Sequence, residues 1–412
     1  MKRVIILVLD SLGIGSSLDS YKFNDKGSDT LGNIANFMFS RSYIDLNYKN
    51  LNIPNLIKLG ISHAAKLSTG VYPLGCYINT EHLIASYGCL NPISYGKDTL
   101  TGHWEITGLP VFFKWNYFKK CVNSFPEDLL NQIILKTNIS GWLGNCHASG
   151  TEILKKLGQE HIFTQKPIIY TSSDSVLQIA CDEDTFGLKN LYLLGLKIRK
   201  ILNYSKYKIA RVIIRPFIKN NKGDFLRTKN RFDFSLPPYG VTVLEKLITE
   251  KKGLVVAIGK IAEIFCNVGI THSYKVSNLE NLFNTTLNVM KDKLFSKFDS
   301  IIFTNFVDFD SVWGHRRDVI GYAKGLEYFD KRLPEILTLM NKNDILIITA
   351  DHGCDPTWPG TDHTRENVPI LLYQHNRIAR CLGYRYTFSD VAQTIAKYFS
   401  LSYMKYGKNM LL

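Results

Sequence analysis

Asp310 and His315 stand five residues apart in NFVDFDSVWGHRRD, Asp351 and His352 are adjacent in LIITADHGCD, and His363 follows in GTDHTRE. Asp10 lies at the other end of the chain, where it closes the apolar run RVIILVLD. Carboxylate and imidazole without thiolate is a donor set that suits manganese, zinc or magnesium. Three of each are enough for two divalent cations, and cations roughly 3.5–4 Å apart can hold both the attacking and the leaving oxygen of a phosphoryl displacement. The expected division is Asp310, His315 and His363 on one ion and Asp10, Asp351 and His352 on the other. Any one of these residues alone could cap a turn or satisfy a core. Six of them at or just beyond β-type runs point to a metal centre. Cys354, two residues past His352, is left outside the expected set, because three imidazoles make a soft thiolate unnecessary.

A hydroxyl for covalent chemistry comes from SYGKDTLTGHWEITGLP. Asp98 precedes a short helical run stopped by Gly108 and Pro110. Thr99 then occupies the first helical position, where free N–H groups and the positive dipole end favour a phosphate. A threonine hydroxyl is a poor nucleophile by itself and a good one when activated by cations. An ordinary helix cap is the bland alternative, and Thr101 is the competing hydroxyl.

Positioning these groups requires a sheet. Residues 3–9, 299–306, 344–350 and 367–373 read as buried strands, because β-branched and leucine residues run without a polar break. Residues 319–341 and Thr387–Phe399 show apolar spacing of three and four, the mark of amphipathic helices, with Ser389-Asp390 as a cap for the second. Alternating strand and helix predicts an α/β doubly wound, mostly parallel sheet, whose strand ends gather reactive groups. Between about 115 and 238 the alternation breaks down, with a helix start at Asn123–Pro126, strand-like KPIIYTSS and IARVIIRPF, and a polar stretch before Pro237-Pro238. This predicts a discontinuous core, 1–114 with 239–412, carrying an inserted α+β cap at 115–238.

The 412 residues exceed the usual range of one core, which agrees with two units. Eight cysteines occur without CxxC pairs, so reduced and mostly buried thiols are expected rather than a disulfide or thiolate framework. The net charge of +14 raises nucleic-acid binding, but the basic residues are spread out and no nucleic-acid motif accompanies them. MKRVIILVLD is too short for a signal peptide and ends at Asp10 without a small-residue cleavage site, and no run reaches transmembrane length. A cytoplasmic protein without membrane, nucleic-acid or obligate protein partner is expected.

The chain resembles the phosphopentomutases, a family within the alkaline phosphatase-like metalloenzyme superfamily. The stretches that carry the resemblance are VLDSLGIG, GSDTLGNIA, GKDTLTGHWEITG, ASGTEIL, YTSSDSVLQIA, FVDFDSVWGHRRD, TADHGCDPTWPGTDHTRE and the closing YGK. The resemblance implies a core of alkaline phosphatase type. It also implies interconversion of ribose 1-phosphate or 2-deoxyribose 1-phosphate with the 5-phosphate, in pentose phosphate and nucleoside catabolism or salvage. Two manganese ions (magnesium, zinc or cobalt being substitutes), a phosphothreonine and a sugar 1,6-bisphosphate activator are implied with it. Thr99 matches the phosphorylated position, and Asp10, Asp310, His315, Asp351, His352 and His363 match the six ligands. Asp174, Arg211, Arg227 and Lys260 fall where similar enzymes contact the sugar and its distal phosphate. One departure is Phe232, where family members commonly carry histidine in Asn-Arg-His-Asp. Rival readings are a phosphatase or other hydrolase, a cofactor-independent phosphoglycerate mutase, and a non-enzymatic binding protein.

Overall fold

Every residue of Arg3–Leu9, Ser300–Phe306 and Asp344–Thr349 is buried, as strands covered on both faces require. The structure is a computed structural model and describes residues 1–44, 49–118, 120–172 and 175–411. In chain order its strands are β1 (Arg3–Leu9), β2 (Ser86–Leu90), β3 (Leu143–His147), β4 (Ile168–Thr171), β5 (Val176–Asp182), β6 (Arg211–Lys219), β7 (Phe225–Arg227), β8 (Phe232–Ser235), β9 (Leu254–Ile258), β10 (His272–Tyr274), β11 (Ser300–Phe306), β12 (Asp344–Thr349), β13 (Val368–Tyr373) and β14 (Cys381–Arg385). Contacts divide the chain into two compact units, Met1–Phe112 with Pro238–Leu412, and Phe113–Pro237.

The larger unit holds an eight-stranded sheet of order β10-β9-β11-β1-β12-β13-β2-β14. Five of its seven pairings are parallel, so the expected mostly parallel α/β architecture is what forms. The helix Val319–Leu339 carries the chain from β11 to β12 across β1, which places β11, β1 and β12 side by side and parallel. Their carboxyl ends therefore open into one crevice at the point where the strand order reverses. From 350 to 367 the chain returns without a helix, so β13 lies antiparallel to β12. His363 rides on that return loop rather than on a strand end. The C-terminal helix begins at Ser389, and Asp390 does not cap it: its carboxylate takes Arg385 Nε at 2.6 Å and Lys408 N at 2.7 Å.

One buried ion pair locks the start of β1 to the start of β12. Arg3 Nη2 lies 2.5 Å from Asp344 Oδ2, and Arg3 also donates to the Met290 and Leu339 carbonyls. Asp344 in turn accepts from Asn341 N at 2.7 Å. Removing one partner strands a buried charge, so Asp344→Ala should lower stability by about 3–5 kcal/mol in denaturant unfolding.

The smaller unit is a mixed sheet, β3-β4-β5-β6-β7 with β8 on β6. One face packs Leu177, Ile179, Val212, Ile214 and Phe234 against helical residues such as Leu191 and Ile198. The helix Gly150–Thr164 covers part of the other, through Ile153, Tyr170 and Phe217. No helix among the described residues is long and apolar enough to cross a membrane. All eight cysteines are free; Cys76, Cys89, Cys181 and Cys354 are buried, whereas Cys121 and Cys381 are exposed, so the expectation of mostly buried thiols holds for half.

Candidate active site

Asp10 follows β1 directly, Asp351 and His352 follow β12, and Asp310 follows β11 in a wide turn. That turn, Phe309–Gly314, is a π-helix closed by His315 N donating to Asp310 O at 3.0 Å. In an α-helix of 3.6 residues per turn, residues five apart diverge by about 140°. The wider i→i+5 turn brings Asp310 and His315 round to one side, and His315 Nε2 lies 3.4 Å from Asp310 Oδ2. His363 Nε2 reaches Asp310 Oδ1 at 3.2 Å and His315 Nε2 at 3.0 Å. On the other side His352 Nε2 lies 3.5 Å from Asp10 Oδ1 and 3.4 Å from Asp351 Oδ2. The His352 and His363 rings stack at 3.9 Å between the two groups. All six side chains thus converge: Asp310 has His315 and His363 beside it, Asp10 and Asp351 have His352, and His352 is also within ligand range of Asp310 and His363.

The hydrogen bonds assign the imidazole tautomers. His315 Nδ1 bonds the Thr361 carbonyl at 2.7 Å, His363 Nδ1 the Lys97 carbonyl at 2.8 Å, and His352 Nδ1 the Gly353 carbonyl at 3.1 Å. Each Nδ1 must carry the proton, which leaves each Nε2 lone pair facing the cluster, as metal-bound histidines are held. Asp10 Oδ1, Asp310 Oδ1 and Asp351 Oδ2 are buried without a hydrogen-bond partner. Buried acceptors aimed at acceptors are costly unless positive charge lies among them. The donor set therefore fits divalent cations.

Charge regulation says the same. Burial, then the charges of Asp351 and Asp310, push the Asp10 carboxyl well above the usual range. Burial would also raise Asp310 and Asp351, but their histidines outweigh it: Asp310 falls well below the ordinary value and Asp351 falls to about 2. Burial would lower His363, yet Asp310 carries it up to about 9. Without a cation, protons take its place.

Thr99 opens the helix Thr99–Ile106, and its Oγ1 lies 3.2 Å from His352 Nε2. Asp98 is the N-cap, accepting from Thr101 N at 3.1 Å and from Thr101 Oγ1 at 2.7 Å. The Thr101 hydroxyl is thus buried and engaged, whereas Thr99 Oγ1 faces the cluster. Gly102 lets this helix approach: a Cβ there would lie 2.0 Å from the Asp351 carbonyl oxygen. Gly102→Ala should displace Thr99 from the carboxylates and cut kcat/KM by about 100-fold in a steady-state assay, with a stability loss of only about 1–3 kcal/mol.

The profile of the Metalloenzyme superfamily matches residues 2–403. The chain is 58% identical over 411 residues to the phosphopentomutase of Buchnera aphidicola subsp. Acyrthosiphon pisum, covering all of both chains. It is 54% identical over 412 residues to that of Yersinia enterocolitica, again at full coverage. The chain belongs to the phosphopentomutase family. It is therefore an isomerase of the phosphotransferase kind, and its metalloenzyme class agrees with a donor set suited to divalent cations.

Three of the four expected sugar contacts lie among the described residues. Lys260 is exposed just after β9, close enough to Asp10 to draw its carboxyl downward. Arg211 begins β6 and lies 3.8 Å from Asp233, while Arg227 ends β7 opposite Phe217. Six residues of strand, about 20 Å, separate their backbone positions along β6. Asp174 lies outside the described residues. Phe232 pairs with Ile214 and packs on Tyr192 and Phe234, on the sheet face opposite Asp233. The departure from the family histidine therefore lies on the face of β8 away from Asp233, the residue beside Arg211.

Four residues that sequence reasoning passed over belong to the site. His103 Nδ1 lies 2.8 Å from the Thr99 carbonyl and 3.1 Å from Asp351 Oδ2; its position one helical turn after Thr99 was the available signal. Asn305, a polar residue near the end of β11, donates to Asp10 Oδ2 at 2.9 Å. Lys97 ties the Thr99 loop to Asp25 at 2.9 Å and to Asp362 at 3.4 Å. Glu366 accepts from Thr30 N, Thr30 Oγ1, Gly15 N and Thr364 Oγ1, clamping the loop after β1 to the loop of His363.

Proposed function

We propose that the chain interconverts ribose 1-phosphate or 2-deoxyribose 1-phosphate with the corresponding 5-phosphate through a phosphorylated Thr99, serving pentose phosphate and nucleoside catabolism or salvage. Asp310, His315 and His363 would hold one divalent cation and Asp10, Asp351 and His352 a second, manganese being the expected ion. Bound there, the cations supply charge stabilisation for the transferring phosphoryl group and lower the proton affinity of the hydroxyl.

Phosphorylated Thr99 gives its phosphoryl group to the free hydroxyl of the incoming pentose phosphate. The P–O bond to Thr99 Oγ1 breaks as the bond to the sugar oxygen forms, and the proton of the sugar hydroxyl passes, directly or through solvent, to the departing Thr99 Oγ1. The resulting bisphosphate presents its other phosphate to Thr99, which takes it back. The free N–H groups at the start of the Thr99–Ile106 helix suit a phosphate on that side chain. Lys260 would meet the distal phosphate as a point charge. A sugar 1,6-bisphosphate would charge Thr99 at the outset.

The observation that carries this reading is the 3.2 Å approach of Thr99 Oγ1 to His352 Nε2, beside three buried carboxylates that each keep one oxygen without a hydrogen-bond partner. Incubating the protein with manganese and a labelled sugar 1,6-bisphosphate, then mapping the modified peptide, tests it. Label is expected on Thr99. Label on Thr101, or none, would overturn the nucleophile, and inorganic phosphate released from ribose 5-phosphate in place of the isomer would make the protein a hydrolase.

A further inference from the structure

Cys354 was set aside on sequence grounds, yet its thiol reaches the cluster. The ligating atoms of Asp310, His315 and Cys354 lie within 4.8 Å of one another. Cys354 is fully buried on the bend after β12, with its backbone N–H held by the Ser11 carbonyl at 3.1 Å. The chain makes room for its sulfur at Gly314, where a Cβ would sit 3.1 Å from both Cys354 Cβ and Sγ. Arg317 Nη1 donates to Sγ at 3.2 Å. That guanidinium cannot swing away freely, because the Gly360, Gly314 and Asp362 carbonyls hold it at 2.7, 3.0 and 2.9 Å. A fixed donor beside sulfur holds the sulfur where it lies. The sulfur therefore has a preset position, a charge partner, and a carboxylate and an imidazole at coordinating range.

We propose that Asp310, His315 and Cys354 form an alternative cation site that captures a thiophilic divalent metal of the zinc or cadmium class, at the expense of the hard cation that Asp310 and His315 would otherwise share with His363. The proposal rests on the reading of Asp310 and His315 as metal ligands. A hard ion such as manganese gains little from sulfur, so with it Cys354 stays a protonated neighbour. A soft ion binds sulfur, and the thiol proton leaves to solvent as the metal–sulfur bond forms. The two arrangements share Asp310 and His315 and so exclude each other. The consequence is an isomerase that soft metals inhibit at its own active centre.

Titrating the metal-free full-length protein with cadmium chloride tests this directly. The expected result is an ultraviolet thiolate-to-cadmium charge-transfer band that saturates at one equivalent. Both Cys354→Ser and Asp310→Asn should remove it, and the Cys354→Ser protein should lose cadmium affinity relative to manganese affinity by about tenfold or more. A cadmium-113 resonance of the unsubstituted protein supplies a readout independent of any variant, with a shift in the range of mixed sulfur, nitrogen and oxygen ligation. A band that persists in Cys354→Ser, a band indifferent to Asp310→Asn, or a resonance typical of oxygen and nitrogen alone would each overturn the proposal. Manganese binding followed by electron paramagnetic resonance separates this from the reading beneath it. A His352→Ala protein that still binds two manganese ions tightly would sink the proposed division of ligands and leave the thiol site standing.

Discussion

Replacing Thr99 by alanine is expected to abolish isomerisation while leaving the fold intact. Thr99 is half-buried at the first position of its helix, and the cap is made by Asp98 to Thr101, so the substitution breaks no structural hydrogen bond at that end. Alanine is also the best helix former, which keeps the turn in place. What disappears is the hydroxyl beside His352 Nε2. Losing a covalent nucleophile costs about 10³-fold or more in kcat, up to roughly 10⁶-fold. A coupled assay for pentose 5-phosphate reads the rate, thermal unfolding checks the fold, and Thr99→Ser should recover part of the activity. Near-normal turnover in the alanine protein would exclude a phosphothreonine. Thr101→Ala should behave in the opposite sense, weakening the start of the helix by about 1 kcal/mol and sparing the labelled position.

The second large effect is an inversion. In metal-free protein, Asp10→Asn should raise the melting temperature, whereas in manganese-loaded protein it should lower both the melting temperature and the activity. Asp10 is buried beside Asp351 and Asp310, and its carboxyl is pushed well above the ordinary value, first by burial and then by those charges. A group whose folded pKa lies above its unfolded one contributes stability below the unfolded value and loses it as pH rises through the folded value. Metal-free protein at neutral pH therefore carries Asp10 as a liability, and an amide of the same shape relieves it. The amide oxygen can still accept from Asn305. When cations fill the cluster, the same carboxylate becomes a ligand, and its loss removes binding free energy that otherwise stabilises the native state, about 2.7 kcal/mol at a hundredfold excess over Kd. Asp10→Asn protein that is less stable than the parent with a chelator present would contradict the charge argument. One that keeps full manganese affinity would contradict the ligand assignment.

The strands that make the crevice were legible because burial on both faces leaves a plain mark: runs dominated by isoleucine, valine, leucine and phenylalanine at 3–9, 300–306 and 344–349. The start of the Thr99 helix was legible for a similar local reason, since Asp98 and the Gly108–Pro110 stop act through their own backbone neighbours. Asn305 and His103 were missed because their partners, Asp10 and Asp351, lie 295 and 248 residues away along the chain, and no local pattern encodes such a pairing. The place of the Cys354 sulfur was not legible for the same reason. Counting imidazoles said a thiol was unnecessary, and only the packing of Gly314 and Arg317 around it sets where its sulfur lies.

The amino-acid order by itself determined which groups could carry the chemistry and that parallel strands would present them, because residue type and hydrophobic period are local properties. Tertiary structure alone decided how they meet. The crossover through Val319–Leu339 sets β11 and β12 on either side of β1, and the π-turn at Phe309–Gly314 turns Asp310 and His315 to one side. The helix-free return before β13 brings His363 back over them, with its Nδ1 fixed by the Lys97 carbonyl. Each of these joins residues far apart in the chain, and their distances follow from strand order and loop path, which no single stretch of residues specifies.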